Sequence, residues 1–141
     1  MKPGVNITLA VLAGLVSGSL VNMGIINLGP FVIPLPEGAD VSTMESLRES
    51  MKLFTPVNFI TPFLAHALGT AVGAFVAARL AARHRAKVAM GVGLFFLAGG
   101  LAAISMLGRP LWFNVADLLL AYIPMAYLGV VLAGATRPRP A

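Results

Sequence analysis

Val57-Asn-Phe-Ile-Thr-Pro-Phe-Leu-Ala-His66-Ala-Leu-Gly69-Thr-Ala-Val-Gly73-Ala-Phe-Val-Ala-Ala78 is followed at once by Arg79-Leu-Ala-Ala-Arg83-His84-Arg85-Ala-Lys87. A run of 22 residues with one titratable side chain, His66, thus ends in four basic residues within nine positions. Crossing the hydrocarbon core of a bilayer takes roughly 20 apolar residues in a helix. The first stretch meets that length, and the second has the composition of a cytoplasmic flank. Three more runs of the same kind flank it. Val5 to Leu28 ends against Pro30, Pro34 and Pro36. Val88 to Leu107 closes on Gly108-Arg109-Pro110. Leu111 to Ala133 is followed by Thr136-Arg-Pro-Arg-Pro-Ala141, which cannot continue a helix. The expectation is an all-α, four-helix transmembrane bundle, one integral membrane domain over residues 1–141, with spans at about 5–28, 57–78, 88–107 and 111–133.

Composition excludes the alternatives. Of 141 residues, 58% are hydrophobic and 11% charged, and the mean hydropathy is +0.90. A soluble domain averages about 45–50% apolar and about 25% charged residues. A chain this short cannot hide so much apolar surface from water, and disorder requires the opposite composition. There is no cysteine, so disulfides, thiolate metal sites and thiol chemistry are absent.

The net charge of +5 is explained by where the charges lie. Lys2, Arg79, Arg83, Arg85, Lys87, Arg137 and Arg139 flank the termini and the second loop, leaving Arg48, Lys52 and Arg109 for the other two loops. The positive-inside rule places both termini in the cytoplasm. Neither interleaved aromatics nor a reader module suggests nucleic acid. Trp112, Phe113, Phe54 and Phe59 suit an outer interfacial belt. Met1-Lys2 and the small residues Ser17-Gly18-Ser19 also admit a signal peptide, but the apolar run continues to Ile33, longer than such a peptide's core.

The first external loop, 29–56, contains Ser42-Thr-Met-Glu45, which fits a capping box with Ser42 as cap and Glu45 reaching back. Met44, Leu47, Met51 and Phe54 then recur at helical spacing, which predicts a short amphipathic helix. Its apolar side either rests on lipid, the simpler expectation, or covers the bundle as a lid.

Helices in lipid associate through small residues and polar bonds. Gly14-x-x-x-Gly18 and Gly69-x-x-x-Gly73 predict close pairing of the first two spans, and Pro124 predicts a kink that frees the Leu120 carbonyl. Asn22, His66 and Asp117 all fall at depths of roughly 9–14 Å from the outer boundary. Each lies on a helical stripe with small or polar companions: Gly14, Gly18 and Asn22; His66, Gly69 and Gly73; Asn114, Asp117 and Ala121. Polar groups in hydrocarbon are costly, so these stripes should face inward. His66 and Asp117 in contact would titrate as a coupled pair. They would either relay protons or hold a cation, with Asn22 and Asn58 as neutral ligands, or fasten helices together. A third arrangement sets Asp117 beside Arg109 at the interface. No catalytic motif, metal-ligand cluster or cofactor loop is present in the sequence; Ser17, Ser19 and Ser105 lie in no nucleophile motif.

Asn22-Met-Gly-Ile-Ile, the proline-rich loop with Pro36-Glu-Gly, Phe63-Leu-Ala-His66-Ala-Leu-Gly-Thr, and Leu111-Trp-Phe with Asp117 and Ala121-Tyr-Ile-Pro124 together resemble a group of small four-span bacterial inner-membrane proteins of uncharacterised activity. The resemblance spans most of the chain and implies a bacterial inner-membrane location. It carries no activity and no functional residues. Small multidrug exporters are similar only in size, since they centre on a Glu in the first span where this chain has Asn22. Two functional expectations result. One is a non-enzymatic component that packs in the lipid bilayer against copies of itself or within a larger membrane complex. The other is a small proton-linked transporter or channel-like protein using His66 and Asp117.

Overall fold

The computed structural model describes residues 4–137. Lys2 and Arg139, expected among the cytoplasmic basic residues, lie outside them. The elements are α1 (Ile7–Leu28), α2 (Met44–Ser50), α3 (Ile60–Leu80), α4 (Arg85–Leu107), α5 (Leu111–Leu120) and α6 (Ile123–Leu132). Short 3-10 turns follow α1, follow α2 and precede α3. With those turns included, four helical stretches, Ile7–Phe31, Pro56–Leu80, Arg85–Leu107 and Leu111–Leu132, are long and apolar enough to cross a bilayer. The chain is therefore an all-α, multi-pass membrane protein.

Packing follows the rule for hydrocarbon rather than for water. The buried side chains are mostly Ala, with Gly14, Gly18, Gly69, Gly73, Gly93, Gly100 and Gly129 beside them. Leucines such as Leu20, Leu119 and Leu132 point outward, each more than 60% exposed. Lipid gives a leucine no reason to move inward, so close backbone approach holds the helices instead. α3 occupies the centre, against α1, α4 and α6. A methyl group on Gly18 would lie 2.6 Å from the Gly69 carbonyl oxygen, and one on Gly14 would lie 2.7 Å from that of Gly73. The expected pairing of α1 with α3 is thus a backbone-to-backbone contact over two turns.

The second loop is shorter than the basic run suggests. α3 continues to Leu80 and α4 begins at Arg85, so the third span starts three residues before Val88. Arg85 explains the early start. Its Nε donates to the Ala78 carbonyl at 2.8 Å, and its two terminal nitrogens donate to Gly134 at 3.0 Å and Ala133 at 2.7 Å. These are carbonyls at the C-terminal ends of α3 and α6, which have no partners within their own helices. One guanidinium thus caps two helices and complements both dipoles. Val5 adds two backbone bonds, to Leu80 and Ala82, tying the chain's start to the same loop. The described termini and the second loop therefore share one end, the basic end. The first and third loops form the other, the loop end. Arg85→Ala should lower stability by about 1.5–3 kcal/mol, read by thermal unfolding in detergent.

At the loop end, the capping box is displaced by one residue from the expectation. Thr43, not Ser42, is the cap: its Oγ1 accepts from the Ser46 amide, and the Ser46 hydroxyl accepts from the Thr43 amide, both at 3.0 Å. Glu45 lies inside the first turn instead of reaching back. Asp40 takes the Ser42 amide at 2.9 Å, and hydrogen bonding from Ser42 holds its carboxyl below the ordinary carboxylate range. This bond occupies Ser42 in the turn before the helix. Leu47, Met51 and Phe54 face a cavity in the bundle. Three of the four apolar residues of the amphipathic segment thus line the cavity, while Met44 is exposed.

The fourth span departs most from expectation. Pro124 does more than kink it. α5 stops at Leu120, Tyr122 takes φ −115° and ψ −77°, and α6 restarts at Ile123 with proline in its first turn. A proline there loses nothing, because first-turn amides have no helical acceptor. The break turns Tyr122 inward, where it is buried.

Candidate functional site

Asp117 is fully buried on α5, and the donors around it come from separate parts of the fold. His66 of α3 presents Nδ1 at 2.8 Å from Oδ1 and 3.0 Å from Oδ2. Arg109, from the turn between α4 and α5, donates from Nη1 to Oδ2 at 3.1 Å. Tyr122, at the break in the fourth span, donates its hydroxyl to Oδ2 at 3.1 Å. Arg109 Nη2 also reaches the Gly100 carbonyl of α4 at 3.4 Å. The cluster therefore joins α3, α4, α5 and the start of α6 through a single carboxylate.

Each neighbour fixes another. The His66 and Tyr122 rings stack at 5.8 Å with an interplanar angle of 26°. Gly100 makes room for Tyr122, since a methyl group there would come 2.5 Å from the phenolic oxygen. The Arg109 guanidinium lies 5.0 Å from the centroid of the Phe113 ring, a cation–π contact. Phe113 and Asp117, four residues apart on α5, share one face. Phe113 in turn packs on Phe59 at 4.7 Å. Both rings are buried, contrary to the expected interfacial belt, while Trp112 is half exposed. The Arg109 side chain is 2% exposed, so its charge is carried within the protein and not at a loop surface.

The electrostatics are those of a buried Arg109–Asp117 ion pair with two further donors on the carboxylate. Asp117 as a carboxylate is acceptor-only, and all three partners are donors. Because Asp117 occupies Nδ1, that nitrogen carries a hydrogen in either charge state of the ring. The remaining ring nitrogen, Nε2, makes no hydrogen bond among the described residues. His66 is the partly accessible member, 18% exposed, and it lines a cavity of about 440 Å³. That cavity lies under α2, between the loop-end halves of α1, α3 and α4. Its walls include Met23, Ile26, Leu47, Met51, Phe54 and Leu107, and Arg109 contributes to its lining beside His66.

The sequence-derived residues divide clearly. His66 and Asp117 both face inward and meet; Arg109 joins the same carboxylate, but inside the protein and not at the interface. Asn114 is buried behind them and donates from Nδ2 to the Arg109 carbonyl at 3.1 Å, bracing the turn. Its Oδ1 and the Arg109 Nε have no partner. Asn22 is not in the cluster. It packs its Cβ beside Gly69, near the α1–α3 contact. Asn58 is not a ligand either: its Oδ1 accepts from the Thr55 amide and hydroxyl, and its Nδ2 donates to the Pro34 carbonyl at 3.1 Å. It staples the loop to the start of α3. Gly14, Gly18, Gly69 and Gly73 serve packing, as expected. Tyr122 escaped the sequence reading because an unbroken helix gives no sign that it turns inward. The usable signal was Pro124 two residues later, together with a buried carboxylate in need of donors. Compared with known protein families, with curated proteins and with solved structures, the chain shows no significant match.

Proposed function

We propose that this protein is a non-enzymatic component of the bacterial inner membrane that holds a guest in the half of the bilayer nearest the loop end, with both termini cytoplasmic. The observation that carries the reading is the position of the ionic cluster. It lies at the cavity and is closed off on its far side. Towards the basic end the buried core consists of Ala77, Ala78, Ala81, Val88, Ala89, Val92, Val130 and similar residues. Thr70 is the fully buried polar side chain on that side among the described residues. A cavity of about 440 Å³ with apolar walls and a few convergent polar groups has the dimensions of a small-ligand site. The orientation is supported by the gathering of Arg83, Arg85, Lys87 and Arg137 at one end. A non-catalytic role is supported by the hydroxyls of Ser17 and Ser105, both engaged with carbonyls of their own helices.

A packing role in a larger complex is the other non-enzymatic reading. It would draw on the exposed apolar faces, because the paired glycines meet one another within the chain. Proton-linked transport is favoured by one observation, the His66–Asp117 contact. Proteoliposomes carrying a pH-sensitive dye separate binding from transport. Under an imposed pH gradient, proton flux should equal that of protein-free vesicles. A gradient-driven flux that Asp117→Asn abolishes would overturn the proposal in favour of transport.

A further inference from the structure

His66 lines the cavity, and its Nε2 has no hydrogen-bond partner among the described residues. We propose that the cavity binds a single-chain carboxylic acid amphiphile, a long-chain fatty acid, whose headgroup pairs with Nε2 of His66 and whose chain lies among Met23, Ile26, Leu47, Met51 and Leu107. The proposal rests on the binding role argued above and goes further by naming the ligand class.

Asp117 holds a hydrogen on Nδ1, so the neutral ring offers a lone pair at Nε2 and seeks a donor. A fatty acid in a bilayer can supply one as its neutral O–H form. Transfer of that proton breaks the acid O–H bond and forms Nε2–H, leaving an imidazolium and a carboxylate in contact. No other bond changes. Charge then balances within the site: Arg109 and the protonated His66 are two cations, and Asp117 and the guest are two anions. An alcohol offers the donor but no anion. A phosphodiester headgroup offers the anion but no proton.

Of the charged or titratable groups around His66, Asp117 bonds the ring, Tyr122 stacks on it, and Arg109 shares the Asp117 carboxylate. The portions of α1, α2 and α4 that line the cavity contribute none. The cavity's volume lies towards the small end of the range for ligand sites, which suits one chain better than a two-chain phospholipid. α1 and α4 touch through Gly14 and Val92 and through Gly18 and Phe96, whereas at the loop end the cavity lies between them. The chain of a membrane-dissolved acid would lie in that space.

The test uses the full protein in nanodiscs, with palmitic acid and hexadecanol as probes and the carboxyl ¹³C resonance of labelled palmitic acid as readout. Wild-type protein should bind one palmitic acid saturably as the carboxylate, and hexadecanol at least tenfold more weakly. His66→Gln, which retains a donor for Asp117 but lacks the second ring nitrogen, should weaken palmitic acid tenfold or more. Met51→Trp, placed on the covering segment away from the ionic cluster, should exclude both probes while leaving thermal unfolding unchanged. Equal binding of both probes, or binding indifferent to His66→Gln, overturns the carboxylate assignment. If Met51→Trp nevertheless excludes both probes, the cavity's binding role stands. Absence of saturable binding by either probe overturns the fatty-acid assignment and the binding role together.

Discussion

Asp117→Ala should be the most damaging single substitution in the chain, lowering stability by about 3–5 kcal/mol. That is the range for removing one partner from a buried ion pair, because the other charge is left without compensation. Arg109 is the stranded partner, its side chain 2% exposed and its guanidinium 5.0 Å from the Phe113 ring centroid. His66 and Tyr122 lose their acceptor in the same step. The effect should be read by reversible unfolding in mixed micelles, together with a double variant. Arg109→Met with Asp117→Leu removes both charges and retains bulk, so it should recover most of the loss. If Asp117→Ala costs less than about 1 kcal/mol, the carboxylate is not the tie between helices that its contacts describe.

Gly69→Val is the second large effect, through sterics alone. A Cβ at Gly69 would stand 2.8 Å from the Gly18 carbonyl oxygen and 3.1 Å from the Asn22 Cβ. Neither is the flexible tip of a long side chain, so α1 and α3 must move apart. Overpacking of this kind costs roughly 1–3 kcal/mol, and loss of the neighbouring Gly14–Gly73 contact should bring the variant to the upper end. Gly24→Ala provides the comparison within α1. Its Cβ would meet nothing within 4 Å, and its stability should stay the same or rise by about 1 kcal/mol. Equal losses at the two glycines would mean that close approach does not govern this pair. Thermal unfolding in the same detergent measures both.

What the sequence disclosed and what it hid have physical causes. Hydrocarbon imposes a length and a composition on any helix that crosses it, so the four spans and the basic end are written in residue type. Helical periodicity fixes which residues share a face, so the stripes through His66 and Asp117 pointed inward correctly. Periodicity does not fix which neighbouring face they meet. Asn22 shares the depth of His66 yet packs against Gly69. Asn58 is polar near the same level yet serves its own turn. Arg109 read as a loop charge because a side chain's reach is not visible in its position, and its guanidinium folds back to the depth of Asp117. Tyr122 depended on a break that a hydropathy run conceals. The covering segment showed its apolar residues plainly, but lipid and cavity are equally acceptable to Leu47 and Met51, and nothing local distinguishes the two.

One buried carboxylate accepts from His66 and Arg109 at once within the bilayer. Solid-state NMR on protein labelled with ¹⁵N-histidine and ¹³C-aspartate, in lipid, tests it directly. His66 Nδ1 should be protonated and in dipolar contact with the Asp117 carboxyl carbon, as the 2.8 Å separation of Nδ1 and Oδ1 requires. A His66 resonance with an unprotonated Nδ1 and no such contact would contradict it.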